Sequence, residues 1–490
     1  MISSAEYLIN KNLYGIFNIS SNVRISKYKF GKKIAELFNV DIDLIKKTKL
    51  NEHKNLIQRP LNMCLSNKKI LQYFDIKKFD LDLNLKKFKK NYNDNYYKVR
   101  PLITYGTHYL KKIDVKKVNK VLFSKNLTQG NEVLKFEEKF AKFVGSKYAV
   151  AVSSASAGLH LCFISLKKNK KSNLITSPIT FVSTTNAAIH DNAKIKFVDI
   201  NKNSLNLNYR LIKSSNDNKL PNIIMPIHFA GSPCEMNKIK NQASFNNDII
   251  IEDAAHALGA KNFDGSYIGS CKYSDAAVFS FHPVKSITSG EGGMITTNDY
   301  NTYLDLLRIR SHGINKLNDQ MTNNKNSKTN GIYNPWYYEM IEKGFNYRLT
   351  DIQCALGSSQ LDSLKEFIEK RKYLALRYDN LFEDCKNIKV TQKKTRAISS
   401  HHLYVIRINF KKAKISRAEL MHKLRQDGII TQVHYIPIPY HPFYQKKGYT
   451  MKNLQNSEKY YDEALSIPLF YNLKNQIQEF VVKKIKSYVE

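Results

Sequence analysis

The sequence has few cysteines, a single tryptophan and no long apolar run. Its six cysteines are scattered over 490 residues without a C-x-x-C pair, so it predicts neither a disulfide framework nor a zinc site. The N-terminal residues MISSAEYLINKNLYG lack the basic start and apolar core of a signal peptide. The longest uncharged stretch, residues 149–166, contains several serines and fits a strand, a turn and a helix better than a membrane span. We therefore expect a cytoplasmic protein with no membrane segment and no metal.

Acidic residues are also scarce, with 42 Asp and Glu against 78 Lys and Arg, and the net charge is +36. Such a charge is typical of nucleic-acid-binding proteins. However, Lys, Asn, Ile and Tyr are all abundant, a bias that A/T-rich codons produce, and no arginine-rich or aromatic-interleaved tract is present. We predict no nucleic-acid partner and keep a basic nucleic-acid-binding protein as the alternative of a different class.

Strand and helix patterns alternate from about residue 118. The predicted strands are 148–152, 173–176, 195–198, 222–227 and 248–251. The predicted helices are 132–143, 157–166 and 181–190, with a long Lys- and Glu-rich helix past about Asp362. This rhythm indicates a mainly parallel sheet covered by helices, whose ligands bind at the carboxyl ends of the strands.

Three segments place reactive groups after predicted strands. In IIIEDAAHALGA, Asp253 ends an apolar strand, where a carboxylate either meets a cation or caps the next helix. In FSFHPVKSITSGEGG, Lys285 lies in an apolar, Gly-bounded turn, and burial there would lower its pKa and favour the neutral amine that Schiff-base chemistry needs. In VSSASAGLHL, a turn with Ser154 and Ser156 opens a helix, an arrangement that binds phosphate.

These segments, together with TSPITFVSTTNAAIHDNAKIKFVDI, RSHGI, GFNYRLTDIQCALGSSQL and QVHYIPIPYHPFYQ, resemble the DegT/DnrJ/EryC1/StrS sugar aminotransferases in order and spacing. The resemblance covers about Pro101 to Glu490. It implies the α/β fold of type I pyridoxal-phosphate (PLP) transferases, which is that of aspartate aminotransferase. We expect a large PLP-binding domain with a seven-stranded mixed sheet at 101–362 and a small C-terminal α+β domain at 363–490.

The resemblance also implies roles for single residues. Lys285 matches the catalytic lysine, which holds PLP covalently and moves the substrate proton, and Asp253 matches the carboxylate that pairs with the ring nitrogen. The other residues expected at the cofactor's ring and phosphate are His256, Phe181, Ser280, Ser156 and Ala155. Alanine stands at position 155 where the family usually has glycine, so it is strained if that turn requires a positive φ.

Further matches concern the dimer and the substrate. Asn346 matches a residue that reaches the phosphate from a partner subunit, which implies a homodimer with shared active sites. His312, Arg348 and His434 lie in segments expected near the sugar nucleotide, although a core or surface role fits them equally well.

Within the family, the motifs MPIHFAGSPCEM and HPVKSITSGEGG are most similar to a branch acting in pseudaminic acid biosynthesis. That branch adds an amino group, with glutamate as the expected donor, to C-4 of a UDP-linked 4-keto-6-deoxy-N-acetylhexosamine. The alternatives are a dTDP- or GDP-sugar substrate, a ketone at C-3, or a non-catalytic regulator. Lys285 argues against the relatives that dehydrate sugars at C-3, because those carry histidine at that position.

Residues 1–95 differ from the rest. The segments Gly15–Phe38 and Ile57–Ile70 resemble the C-terminal end of reductases of the dTDP-4-dehydrorhamnose type, with a strand at 15–20 and a helix at about 25–38. No Gly-rich dinucleotide turn accompanies them, so we predict a non-catalytic α+β extension. Residues 92–99 are predicted to be a linker.

Overall fold

The computed structural model describes residues 23–38, 41–47, 68–75, 80–95, 102–167, 172–212, 222–244, 247–316 and 321–490. The chain divides into two compact units, Met1–Pro101 and Leu102–Glu490. Among the described residues, none of the helices combines the length and the apolar content that crossing a bilayer requires.

The first unit contains two described helices, α1 (Lys27–Phe38) and α2 (Leu81–Asn95). Lys33 on α1 forms an ion pair of 2.6 Å with Asp82 on α2. The predicted helix is therefore confirmed. The predicted linker is wrong for residues 92–95, because α2 continues to Asn95, while residues 96–99 and the predicted strand at 15–20 lie outside the described residues.

The second unit is built around a seven-stranded mixed sheet. Its strands are β1 (Tyr148–Val152), β2 (Asn173–Thr176), β3 (Lys194–Phe197), β4 (Asn222–Met225), β5 (Ile249–Asp253), β6 (Ala276–Ser280) and β7 (Gly293–Thr297). The strand order is β1-β7-β6-β5-β4-β2-β3, and β7 runs antiparallel to both of its neighbours. The remaining neighbours pair in parallel, which confirms the predicted fold class.

Helices cover both faces of this sheet. They are α3 (Lys112–Leu122), α4 (Asn131–Val144), α5 (Ala155–Lys167), α6 (Val182–Ile189), α7 (Met236–Ser244), α8 (Tyr300–Arg310) and α10 (Asp351–Leu381). Because side chains alternate along a strand, Ala149 and Ala151 of β1 face a core that includes α4 and α10, whereas Val150 and Val152 face α5. Helix α8 is followed by a short helix, α9 (Asn324–Ser327), and by two small antiparallel ribbons. One ribbon pairs β8 (Ile314–Asn315) with β11 (Glu339–Met340), and the other pairs β9 (Lys328–Thr329) with β10 (Ile332–Tyr333).

The C-terminal region has a three-stranded antiparallel sheet of its own. It consists of β12 (Ile388–Val390), β13 (Tyr404–Ile408) and β14 (Ala464–Ile467), with α11 (Arg417–Gln426), α12 (Pro442–Gln445), α13 (Gln455–Glu463) and α14 (Asn475–Val489). The long helix α10 joins both cores, because Leu364 packs in the first and Tyr378 in the second. The predicted domain boundary after residue 362 falls inside α10 and stays a prediction.

Candidate active site

A cavity of about 800 Å³ opens at the carboxyl ends of the parallel strands. Its wall includes Ser154 after β1, Phe181 after β2, Asp253 at the end of β5 and Ser280 at the end of β6. Residues 432–436 of the C-terminal region complete it. Eight of the predicted site residues line this cavity: Lys285, Asp253, His256, Phe181, Ser280, Ser156, Ala155 and His434.

Asp253 lines the cavity and is only 5% exposed. Thr184 on α6 donates a hydrogen bond of 2.7 Å to Asp253 Oδ2, and the backbone N–H of Ala255 donates one of 3.2 Å to Oδ1. Burial raises the pKa of Asp253, and the bond from Thr184 partly opposes that rise. Within the part of the chain that the structure describes, the carboxylate has neutral donors but no salt bridge, so a cationic ligand group would stabilise its charged form.

Lys285 lies in the loop between β6 and β7, where its backbone N–H donates a hydrogen bond to the carbonyl of His282. Its side chain lines the cavity and is partly buried. Burial lowers the pKa of Lys285 to about 8, and the charge of Asp253 partly offsets this effect. The neutral amine, which is the nucleophilic form, is therefore more populated near neutral pH than in an exposed lysine.

The turn between β1 and α5 lines the same cavity with the first residues of a helix, whose backbone N–H groups have no partner within the helix. Ser154 caps the helix, since its Oγ accepts the N–H of Ala157 at 3.1 Å. Ala155 is the first residue of α5, and among the described residues it is not one of those with a positive φ. The condition for strain at Ala155 is thus not met. A Cβ on Gly293 of β7 would lie 2.7 Å from the N atom of Ala155, so this glycine allows the turn to pack on the sheet.

His256 is held between a backbone amide and a tyrosine. The N–H of Ala230 donates to Nδ1 at 3.3 Å, which leaves the ring proton on Nε2, 3.0 Å from the hydroxyl of Tyr435. Burial lowers the pKa of His256 well below its ordinary value, with Lys285 adding to this shift, so the imidazole is neutral. His256 Nε2 therefore donates to the hydroxyl of Tyr435, which itself lines the cavity.

The remaining predicted residues fall into two groups. Phe181 is 55% exposed and has its ring 6.0 Å from that of Tyr435. His434 accepts or donates a bond of 2.8 Å with Ser466, and burial lowers its pKa to about 3. The other three residues, Asn346, His312 and Arg348, do not line this cavity within the described part of the chain.

Three further residues at the site were not predicted. Thr184 is connected to Asp253, Tyr435 to His256, and His402 lines the cavity beside His256, with ring centroids 4.4 Å apart. Tyr435 adjoins the predicted His434 in sequence, and Thr184 lies one helical turn beyond Phe181, so adjacency was an available signal. For His402, which follows another histidine before β13, the sequence offered no comparable signal.

A partly buried lysine of lowered pKa, a buried acid and a helix-opening turn that share one cavity of an α/β sheet define the active site of a PLP-dependent transferase. The profile of the DegT/DnrJ/EryC1/StrS aminotransferase family matches residues 108–486. The chain belongs to this family. It is a sugar aminotransferase with pyridoxal phosphate as its cofactor, which confirms both expectations.

Several relatives extend the comparison. The chain is 35% identical over 393 residues to a UDP-4-amino-4,6-dideoxy-N-acetyl-beta-L-altrosamine transaminase of Campylobacter jejuni, covering 79% of the chain and 98% of that protein. It is 33% identical over 391 residues to the spore coat polysaccharide biosynthesis protein SpsC of Bacillus subtilis, covering 79% and 97%. Among solved structures, Helicobacter pylori PseC, an aminotransferase involved in the biosynthesis of pseudoaminic acid, has a TM-score of 0.72 at 29% identity, covering 79% and 99%.

Proposed function

We propose that the chain transfers an amino group from glutamate to the C-4 ketone of a UDP-linked 4-keto-6-deoxy-N-acetylhexosamine. The pathway proposed is that of pseudaminic acid or a related surface sugar. Support comes from the activities of the Campylobacter and Helicobacter relatives, whose similarity covers most of this chain. The observation that carries the proposal is the presence of Lys285, which is partly buried, and of the buried Asp253 in one cavity, with opposed pKa shifts.

The residues present fit the cofactor. Asp253 would hold its ring nitrogen, because this buried carboxylate lacks a cation among the described residues. Ser154, Ser156 and the free N–H groups that open α5 would hold its phosphate. Lys285 would hold it covalently. When bound, PLP supplies an electron sink for the carbon that loses a proton.

The chain's own groups then account for positioning and proton movement. Lys285 Nζ accepts the proton that leaves the donor's reacting carbon in one half-reaction and delivers a proton to C-4 of the sugar in the other, for which a pKa near the working pH is suited. Thr184 orients the carboxylate of Asp253, and Ala230 fixes the tautomer of His256. Phe181, which is half exposed, offers a flat face to a ring in the cavity.

The test is direct. Purified protein is incubated with glutamate and, separately, with UDP-, dTDP- and GDP-linked 4-keto and 3-keto sugars, and the amino sugar is identified by mass spectrometry and NMR. We expect amination at C-4 of the UDP-linked N-acetylhexosamine and none with Lys285→Ala. Preferred conversion of a dTDP- or GDP-sugar, or of a C-3 ketone, would favour the alternative substrate.

We also propose that the active form is a homodimer in which Asn346 acts at the cavity of the second copy. Asn346 lies in a backbone bridge with Ser311 and is absent from the wall of its own cavity among the described residues, which supports this role. Mixing two inactive variants, Lys285→Ala and Asn346→Ala, tests it. If sites are shared, mixed dimers contain one complete site and activity returns. If each subunit has its own complete set, the mixture stays inactive.

A further inference from the structure

The amino donor brings negative charge into a cavity with few positive groups. The donor proposed above is glutamate, and the inference below rests on that proposal. Within the described residues, Lys285 is the one ammonium or guanidinium side chain on the cavity wall. Lys285 is needed for the cofactor and for moving the proton. Another group must therefore recognise the carboxylate next to the reacting carbon.

His402 is a buried imidazole that takes part neither in holding the cofactor nor in moving the proton. It is 4% exposed and lines the cavity. It stacks obliquely on His256, and it lies near enough to Lys285 for that charge to act on it. Its backbone is fixed, because its N–H bonds to the carbonyl of Ala230 and its own carbonyl accepts from Arg371.

The two ring nitrogens of His402 are not equivalent. Nδ1 is buried and has no hydrogen-bond partner among the described residues. Nε2 also makes no hydrogen bond with those residues, but it is not among the buried polar atoms. Because His402 lines the cavity, Nε2 is the ring nitrogen that is accessible from it. Burial lowers the pKa of His402 well below its ordinary value, so the ring is neutral and carries one proton.

The position of that proton follows from the cost of burial. A buried N–H without an acceptor is rarer in proteins than a buried acceptor without a donor. We therefore place the proton on Nε2, where it points into the cavity and is available to a ligand. Nδ1 then remains as a bare nitrogen inside the protein.

We propose that His402 Nε2 donates a hydrogen bond to the carboxylate of the amino-acid donor. That carboxylate is attached to the carbon from which Lys285 takes a proton, so its recognition group must stand on the wall beside Lys285. His402 meets this condition, and its ring makes no hydrogen bond with any of the described residues. The sugar-nucleotide substrate has no carboxylate at its reacting carbon, so the bond serves one of the two half-reactions.

Two matched substitutions test the position of the donor atom. The amide nitrogen of glutamine at this position lies close to where Nε2 of histidine stands, whereas that of asparagine lies close to Nδ1. We expect His402→Gln to keep much of the binding of glutarate, a dicarboxylate without an amino group, to the cofactor-loaded protein. His402→Asn should weaken it by roughly ten- to a hundredfold, the range for a hydrogen bond to a charged group. Isothermal titration calorimetry measures both, with the exposed His422→Asn as the control for the same chemical change.

A second readout separates the half-reactions. Conversion of the cofactor by glutamate, followed by its absorbance in a single turnover, should require higher glutamate in His402→Asn. The return reaction with the keto sugar should proceed as in the parent. The proposal would be overturned if His402→Asn bound glutarate as tightly as the parent does, or if both variants lost the same affinity. It would also be overturned if the parent did not bind glutarate, or if His402→Asn lost the absorbance of the cofactor.

The proposed sugar substrate fails by a different result. If none of the UDP-linked keto sugars is aminated while glutarate binding follows the expected order of parent, glutamine variant and asparagine variant, the substrate is wrong and the donor site stands.

Discussion

Replacing Lys285 by methionine should stabilise the cofactor-free protein near neutral pH, and the gain should disappear as the pH rises. Burial lowers the pKa of Lys285 from 10.5 to about 8 in the folded protein. Between these two values the unfolded chain binds a proton that the folded protein does not. The free energy of unfolding of the parent therefore rises with pH between about 8 and 10.5. Below pH 8 both states are protonated, and the free energy of unfolding is lowered by the full cost of holding the charged amine in the folded protein.

The size of the effect follows from the shift. One pKa unit corresponds to about 1.4 kcal/mol, so a difference of 2.5 between 10.5 and about 8 corresponds to roughly 3 kcal/mol. Methionine has a similar length and no charge. The difference in unfolding free energy between Lys285→Met and the parent should thus be about 3 kcal/mol larger at pH 7 than near pH 10.5.

Denaturant unfolding of cofactor-free protein at several pH values between 7 and 10.5 measures this difference, because other titrating groups are common to both proteins and cancel. Lys452→Met, at an exposed position, controls for the loss of one positive charge. A difference between Lys285→Met and the parent that stays constant over this range would refute the reasoning, since it would mean that the buried amine keeps an ordinary pKa.

Three further predictions address the cofactor and the first unit. Thr184→Val removes a hydrogen bond to the carboxylate of Asp253 and should raise the pKa of that carboxyl further. We expect PLP to bind roughly tenfold to a hundredfold more weakly in a spectrophotometric titration, and unchanged affinity would contradict this. Gly293→Ala places a methyl group against the backbone of Ala155 and should cost about 1–3 kcal/mol, measured by denaturant unfolding, with a larger loss of affinity for PLP than for pyridoxal, which lacks the phosphate. Deletion of residues 1–95 should leave amino transfer intact in the enzyme assay, and loss of the folded enzyme would oppose the view that this extension is non-catalytic.

Local sequence patterns predicted the sheet well where strands are short apolar runs between turns. Strands β1 and β2 have the predicted bounds, Tyr148–Val152 and Asn173–Thr176. Strand β5 continues past its apolar run to Asp253, because Glu252 and Asp253 pair with β6. This register is a tertiary property, and the charged residues gave no sign of it.

The long helix shows the converse effect. Its N-terminal part contains the serine- and glycine-rich residues LGSSQ, which have low helix propensity, so the sequence pattern placed the helix past Asp362. The helix begins at Asp351, because Thr350 and Gln353 form a capping box and this part of the helix is buried against α4. The cap and the packing together outweigh propensity.

The reactive groups were predictable because each follows a strand in its own segment, whereas their supports were not. Tyr435 contacts His256 across 179 residues of sequence, and Thr184 contacts Asp253 across 69. Thr184 and Tyr435 each lie close in sequence to a predicted site residue, but this adjacency does not show which group their hydroxyls orient. That pairing becomes visible only when the fold brings distant segments together.

The opposed pKa shifts of Lys285 and Asp253 have a common origin in the architecture. Both groups lie at or just after the carboxyl ends of neighbouring strands, where the sheet and the C-terminal region limit their contact with water, and neither forms a salt bridge among the described residues. Water exclusion disfavours the ammonium and the carboxylate alike, so the cofactor-free site is less stable than a site of neutral residues would be. A ligand that takes the amine into a neutral covalent bond and offers a positive nitrogen to the acid removes both costs at once. The same burial that destabilises the empty fold thereby contributes to the affinity for the cofactor.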